Sequence, residues 1–332
     1  MQFKAFRVSG EGLNQGKLVH LDLDELSQGQ VVIETRYSSV NYKDALAVTG
    51  QGKILRGFPR NAGIDVAGVV YSSQHPSFHI GDEVLVTGCG LGEIHDGGFA
   101  EYVRVPAEWI VPLPSGLSMR EAMIYGTAGF TAGICLHRLL LNDQTPDKGP
   151  MLVTGASGGV GSLAVAMLAK LGFEVWALSG KADAKDYLLD LGAKEVIQPA
   201  DLNLGKRPLE SIRFGGAIDN VGGELLEGVL RHVNLWGNVA SVGLAGGASF
   251  HNTVMPFILR GVSILGISST NCPMQLRREI WGKLAGAWRP KDLEAFVTAS
   301  IPLEEVENAS HRLLERRSRG RTLVVMGAGA QL

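Results

Sequence analysis

The stretch Met151-Leu152-Val153-Thr154-Gly155-Ala156-Ser157-Gly158-Gly159-Val160-Gly161 constrains this chain more than any other. An uncharged apolar run leads directly into a glycine-rich turn, and the turn opens the amphipathic segment Ser162 to Lys170. That order reads as strand, tight turn, helix. A second cycle follows: Phe173 to Gly180 as strand, Ala184 to Ala193 as helix and Glu195 to Gln198 as strand. Parallel strands need crossover connections, and those connections are right-handed, so a doubly wound parallel sheet is predicted beyond Pro150. Further strands are expected at Gly216 to Asn220, Gly237 to Val242 and Val262 to Ile267, with a helix from Glu224 to Leu235.

The first 120 residues follow a different rule. Val31 to Tyr37, Val66 to Tyr71, Glu83 to Thr87 and Ala100 to Val105 alternate or run apolar between Gly, Pro, Ser and Asn, which predicts a β-rich, barrel-like half. Ser118 to Ala122 and Gly129 to Leu141 then show helical spacing, and the region after Pro273 reads as two helices and a closing strand, Thr322 to Met326. A length of 332 residues suits two domains. The expected division is 1–122 with 274–332 in one domain and 123–273 in the other.

Glycine is the compositional outlier: 44 of 332 residues is about 13%, against about 7% in ordinary proteins, so many tight turns are needed. A formal charge of −2 supplies no basic field for nucleic acid. Cys89, Cys135 and Cys272 are scattered and odd in number, which argues for a reducing compartment and against a cysteine-based zinc cluster. The N-terminus lacks the pattern of a signal peptide, and no uncharged apolar run is long enough to span a bilayer, so a cytoplasmic protein without a membrane partner is expected.

The glycine turn sits where a dinucleotide fingerprint requires it, after a strand and before a helix. Glycines allow the turn and the close approach of a pyrophosphate, and the helix N-terminus offers unpaired N–H groups to the anion. The second strand ends Leu178-Ser179-Gly180-Lys181, without the acidic residue that reads a ribose 2′-hydroxyl. Ser179 supplies a donor and Lys181 a charge for a 2′-phosphate, which favours NADPH over NADH; the alternative for Lys181 is an ordinary solvated lysine. The turns Asp219 to Gly223 and Val242 to Gly247 belong at the carboxyl edge of the same sheet, either lining the cofactor cleft or as plain strand-end turns.

Several blocks resemble the medium-chain dehydrogenase/reductase superfamily, and within it a zinc-free branch, the acryloyl-CoA reductases that also carry an older quinone oxidoreductase label. They are Ser39-Val40-Asn41-Tyr42-Lys43-Asp44-Ala45, Gly63 to Gly68, Thr127 to Ala132, Val153 to Gly161, Thr253 to Val262 and Gly320 to Val324. The resemblance implies a GroES-like β-barrel catalytic domain plus a Rossmann cofactor domain, a homodimer paired through a strand such as Val262 to Ile267, and NADPH-dependent reduction of acryloyl-CoA or a similar 2-enoyl-CoA thioester to propanoyl-CoA. Zinc-dependent relatives have a Cys near position 41 and a His-Glu pair after the glycine equivalent to Gly63; here stand Asn41 and Ile64-Asp65, so no catalytic metal is expected. The resemblance places the cofactor against Tyr42, Ser157, Gly158, Gly159, Val160, Ser179, Gly180, Lys181, Leu244, Ile258, Ser269 and Arg321. Pro199 stands where some relatives supply an arginine, and Ser268 where some have an acidic residue.

Metal-free reduction of an activated double bond needs a positioned hydride donor, polarisation of the carbonyl and a proton for the α-carbon. A phenol is a donor at neutral pH, so Tyr42 fits the last role; the alternative is a pocket-shaping tyrosine with water as the acid. Asn41 and Asp44 flank it and would orient the ribose, the carbonyl or Tyr42; the blander and favoured reading of Asp44 is a helix N-cap. Thr127 reads as a contact to the nicotinamide amide or as a cap. The basic segment Arg312 to Arg321 reads either as a solvated helix end or as an attractor for coenzyme A phosphates. Two other functions remain open: reduction of quinones or enones by the same hydride geometry, and an NADPH-binding structural or regulatory protein with little turnover.

Overall fold

The computed structural model describes residues 1–13 and 15–327, in two units: 1–127 with 269–286 and 292 onward, and 128–268 with 287–291. The division lies five residues from the expected boundaries on each side, and 287–291 pack with the second unit; residues 328–332 lie outside the described part.

The first unit contains strands β1 (Gln2–Val8), β2 (Gly16–Asp22) and β3 (Val31–Ser39), helix α1 (Tyr42–Thr49), and strands β4 (Arg60–Asn61), β5 (Asp65–Ser73), β6 (Glu83–Thr87), β7 (Tyr102–Val105) and β8 (Val111–Pro112). Helix α2 (Met119–Leu141) starts here and is broken at Gly126, whose φ of 48° and ψ of −153° are not helical.

The second unit runs β9 (Met151–Thr154), α3 (Gly159–Lys170), β10 (Val175–Leu178), α4 (Lys185–Asp190), β11 (Glu195–Ile197), β12 (Gly216–Asp219), α5 (Gly223–Leu230), β13 (Asn238–Ser241), α6 (Met255–Arg260) and β14 (Ser263–Gly266). The chain then returns to the first unit with α7 (Met274–Ala285), β15 (Val297–Pro302), α8 (Val306–Leu314) and β16 (Arg321–Val325). Strand β15 was not foreseen: Val297-Thr298-Ala299-Ser300 lacks a clear alternation, and its parallel pairing to β16 is what makes it a strand. Helix α5 stops at Leu230, short of the expected Leu235, where Arg231 N and His232 N bond back three residues, to Gly228 O and Val229 O.

In the second unit all six strands are parallel, in the order β11-β10-β9-β12-β13-β14. Leu152, Leu178, Phe214, Ala217, Leu226, Val229 and Val239 pack on one face. This is the Rossmann arrangement, with the order reversing at β9. The first unit has a seven-stranded sheet, β15-β16-β3-β5-β6-β8 with β7 also on β3, and a three-stranded sheet β2-β1-β4. Val31, Ile33, Val66, Val70, Val84, Val86 and Val103 form one core between these strands, while Phe6, Val8, Val40, Val48, Phe99 and Val306 form another. Strand β3 pairs antiparallel with β5, Tyr37 opposite Ala67, which brings Ser39 and Asp65 to the same end of the sheet.

Candidate functional site

Two groups of residues stand out, one in each unit. In the first unit a buried polar cluster forms where β3 leads into α1. Asn41 is the N-cap of α1 with extended backbone, and Asp44, at the third helical position, accepts the Asn41 N–H at 2.9 Å. Asp44 is therefore not the N-cap that its position before Ala45-Leu46-Ala47 suggested. Lys43 lies on the first turn of the helix and pairs with Glu93 at 2.9 Å.

Asp65, at the start of β5, is wholly buried and gathers the cluster. Its carboxylate accepts from Ser39 Oγ at 2.6 Å, Asn41 Nδ2 at 2.7 Å, Thr127 N at 2.9 Å and Thr127 Oγ1 at 2.6 Å. Asn41 Nδ2 also donates to Asp44 Oδ2 at 3.0 Å, and Asp44 Oδ1 accepts from Ile64 N at 2.8 Å. Arg321 is the cation of the group. It donates to Ser39 Oγ at 2.7 Å, to Asn41 Oδ1 at 3.2 Å and to Ile124 O at 2.9 Å, and stands 4.0 Å from Asp65.

The guanidinium thus stands near one of the two buried carboxyl groups, Asp65. Burial, with the Asp65 charge next to it, pushes the Asp44 carboxyl up to about 7 against the hydrogen bonds it accepts. The chain can place these groups together because Gly126 has no side chain. A Cβ there would stand 2.5 Å from both Asp65 Oδ2 and Ser39 Oγ.

The cluster anchors the first turn of α1, and Tyr42 projects from that turn about half exposed. Of the residues read from the sequence, Asn41, Asp44, Thr127 and Arg321 thus meet in one network, with Asn41, Asp44 and Arg321 buried. Their side chains are spent on one another, which makes Asn41 and Asp44 supports for Tyr42. Ser269, half-buried, contributes its carbonyl to Arg277 Nη2 at 2.9 Å. Ser39, Asp65 and Gly126 were not singled out for roles; a lone carboxylate opening the otherwise apolar run Val66 to Val70 was the available signal.

In the second unit the glycine turn has the geometry its sequence implies. Gly155 has φ +59°, Gly158 caps α3, and Ala156 N donates to Leu178 O, tying the turn to β10. A Cβ on Gly161 would lie 2.4 Å from Gly155 O, so only glycine lets α3 start this close to the strand. Among the described residues no acceptor takes the N–H groups of Gly159, Val160 or Gly161. Unpaired N–H groups at a helix start are the kind of donors that anions take.

Ser179 and Ser157 are buried and in contact, Ser179 Oγ donating to Ser157 Oγ at 3.0 Å while accepting from Lys181 N at 3.2 Å. The Ser179 proton is thus engaged inside the turn, leaving Lys181 and the exposed Gly180 as the outer part of this group. The Pro199 ring lies 3.8 Å from the Cβ position of Gly180. Leu244 and Ile258 are exposed. The two later turns pack on each other, Gly246 N donating to Val221 O at 2.7 Å. Asn220, directly after β12 in the turn read as cleft lining or plain strand-end turn, has its Oδ1 buried without a donor.

Comparison with known proteins matches residues 27–115 to the alcohol dehydrogenase GroES-like domain and 159–285 to the zinc-binding dehydrogenase domain. YhfP of Bacillus subtilis 168 is 46% identical over 92% of both chains, and AcuI of Escherichia coli K-12 is 46% identical over 95% of this chain and 96% of its own. The chain belongs to the medium-chain dehydrogenase/reductase family. Those two relatives carry the provisional names quinone oxidoreductase and acrylyl-CoA reductase. A third family member, AcuI of Ruegeria pomeroyi, is named acrylyl-CoA reductase and is 42% identical over 96% of both chains. Among solved structures of the family, the Salmonella enterica yhdH oxidoreductase in complex with NADP superposes with a TM-score of 0.94 at 44% identity, covering 98% of this chain and 100% of that one. Bacillus subtilis yhfP with NAD bound gives 0.95 at 43% identity, with the same coverage.

The zinc in the name of one matched domain calls for a test of the residues. Ile64 has no ligand atom, the Asn41 amide is committed to two carboxyl groups, and among the described residues no three His, Cys, Asp or Glu side chains come together to hold a metal. This donor set does not fit zinc. His95, the histidine nearest an acidic neighbour in sequence, is held by Gln28 O and Asp96 O. No helix of the described residues is long and apolar enough to cross a membrane.

Proposed function

We propose that the chain is an NADPH-dependent, metal-free reductase of the carbon–carbon double bond of acryloyl-CoA or a similar short 2-enoyl-CoA, giving propanoyl-CoA. The observation that carries the cofactor half of this reading is the row of three unclaimed N–H groups at the start of α3, beside a strand end that has Lys181 and no carboxylate. Those N–H groups would hold the pyrophosphate, and Lys181 with the Ser157–Ser179 pair would hold the 2′-phosphate. The acceptor half draws on the acrylyl-CoA reductases that the chain resembles over more than nine-tenths of its length.

The bound NADPH supplies a hydride to the β-carbon of the acceptor. The electron pair of the double bond then moves toward the thioester carbonyl, and the α-carbon takes a proton. Tyr42 supplies that proton in this reading: its phenol is half exposed, and its backbone is held by the Asn41, Asp44 and Asp65 network. Thr127, fixed by two hydrogen bonds to Asp65, would meet the nicotinamide amide.

A homodimer and a cytoplasmic setting belong to the same reading. Strand β14 ends the six-stranded sheet, and Trp236, Ile258 and Leu259 lie exposed in the segments that lead to it. The three cysteines are free thiols, as a reducing compartment keeps them. Sedimentation giving a monomer mass would remove the dimer.

The functional test is NADPH oxidation by the purified, metal-stripped protein with acryloyl-CoA and a benzoquinone side by side. A large preference in kcat/KM for acryloyl-CoA supports the thioester reading. Preference for the quinone replaces it with a quinone reductase, and no turnover with either leaves a protein that only binds the dinucleotide.

A further inference from the structure

We propose that Cys89 and Cys272 are an oxidative modification site: under hydrogen peroxide the two thiols close into a disulfide that slows turnover, and thiol reductants reopen it. The disulfide stands on the first unit alone, while its effect on turnover rests on the reductase reading above.

The two cysteines are distant in sequence, but the fold joins the segments that carry them. Cys89 N donates to Thr270 O at 3.2 Å, and a Cβ on Gly88 would stand 3.1 Å from Thr270 Cα. Cys272 belongs to the same short turn as Thr270, its N donating to Ser269 O at 3.4 Å. The buried Arg277 fastens both sides, donating to Thr87 O at 2.6 Å, to Ser269 O at 2.9 Å and to Thr270 O at 3.2 Å. The thiols are thus carried by the two sides of one fixed backbone contact.

Both are partly exposed free thiols, and Cys272 Sγ donates weakly to Pro273 O at 3.7 Å. Cys135 is wholly buried in α2 and out of reach of an oxidant. Burial raises Cys89 and Cys272 above the ordinary thiol value while the Arg277 charge draws both down, and Cys272 also senses the charge of Cys89, as a near neighbour does. Thiols held protonated react slowly, so the pair answers sustained oxidant. The loop has the freedom to close. Cys89 has φ +57° between Gly88 at +69° and Gly90 at +98°; the glycines turn easily, and Cys89 leaves a backbone region that side chains rarely take.

The chemistry balances with peroxide as the only co-reactant. One thiol attacks hydrogen peroxide, its sulfur keeping one oxygen as sulfenic acid while the other leaves as water. The second thiol displaces that oxygen as a second water and the S–S bond forms. Each sulfur has given up one electron, and the O–O bond has taken both.

Turnover follows because Thr270 also touches α1. Lys43 Nζ donates to Thr270 Oγ1 at 3.3 Å and to Glu93 Oε1 at 2.9 Å, and Lys43 stands next to Tyr42 on the first turn of the helix. Drawing Cys272 toward Cys89 shifts Thr270, and with it the contact that steadies this turn.

The test treats the whole protein with hydrogen peroxide, blocks remaining thiols with iodoacetamide, and reads unreduced peptides by mass spectrometry beside NADPH oxidation with acryloyl-CoA. A Cys89–Cys272 peptide pair two hydrogens lighter is expected from protein that runs as a monomer on a non-reducing gel, lost after dithiothreitol. It should be absent from Cys89→Ser and Cys272→Ser and present in Cys135→Ser. Oxidation should lower kcat about tenfold in wild type and Cys135→Ser, with recovery under dithiothreitol, while the other two variants keep their turnover. No such peptide, or one that joins two copies of the chain, overturns the disulfide. A disulfide that leaves kcat unchanged, or an equal loss in Cys272→Ser, overturns the effect on turnover. Reduced wild type that does not turn over acryloyl-CoA overturns the reductase reading, and the peptide masses still decide the disulfide.

Discussion

Replacing Gly126 with alanine puts a methyl group 2.5 Å from Asp65 Oδ2, 2.5 Å from Ser39 Oγ and 2.8 Å from Arg321 Nη2. None of the three atoms can retreat alone, because Ser39 Oγ donates to Asp65 while accepting from Arg321, and Asp65 also holds Asn41 and Thr127. The backbone adds its own cost. A residue with a Cβ at φ 48° and ψ −153° is strained by roughly 1–3 kcal/mol. Displacing one hydrogen bond to a buried carboxylate costs about 1.5–3 kcal/mol more. The expected destabilisation is therefore about 2.5–6 kcal/mol, read as a lower urea midpoint with unchanged slope. The control is Gly172→Ala, in the second unit: its φ is +82° but nothing lies within 4 Å of the added methyl, so only backbone strain of about 1–2 kcal/mol applies. If the Gly126 variant unfolds no more easily than the Gly172 variant, the Asp65 cluster is not the tightly held assembly described here. A folded but loosened Gly126 variant should also lose kcat, because the same cluster seats the first turn of α1 under Tyr42.

Other outcomes follow from the same geometry. Asp44 keeps its proton to about pH 7 in the fold but releases it near 3.8 when unfolded, so the unfolded chain binds fewer protons between those values. Stability therefore falls as pH rises through that window, by about 4 kcal/mol in total. Denaturation of Asp44→Asn at several pH values should lose this slope, and an unchanged slope would mean that another group carries it. Tyr42→Phe should lower kcat about 10²-fold with little change in melting temperature, since the ring is half exposed; near wild-type turnover would leave Tyr42 a pocket wall. Replacing Ser179 and Lys181 by alanine together should raise KM for NADPH far more than KM for NADH, and equal changes would reject the 2′-phosphate assignment. Gly161→Ala drives a methyl to 2.4 Å from Gly155 O, so it should destabilise the second unit by about 1–3 kcal/mol and weaken dinucleotide binding, both measurable by thermal shift with and without NADPH.

What could be read from the chain before its fold was known is local. The strand, glycine turn and helix from Met151 to Lys170 are contiguous, and their signals act over a few residues: an apolar run, a turn that needs φ above zero at Gly155, a helix whose first N–H groups have no partner. Interactions so short in range leave the residues little choice, so the parallel sheet and its glycine turn were legible. The β-rich half was legible as a class for the same reason, although β15 was not, because only its partner β16 makes it a strand. The Asp65 cluster lay beyond such reading. Arg321 lies 280 residues from the Asn41 it bonds, and Asp65 lies 62 from Thr127. Each of these residues, taken singly, suits a surface or a cap equally well. Burial is what turns Asp44 from an ordinary carboxyl into one that holds its proton, and Asn220 from a turn residue into an unpaired acceptor. Local sequence determined which backbone shapes the chain could take. Tertiary structure alone decided which polar groups lost their water, because desolvation depends on everything packed around a group, and that is what set their chemistry.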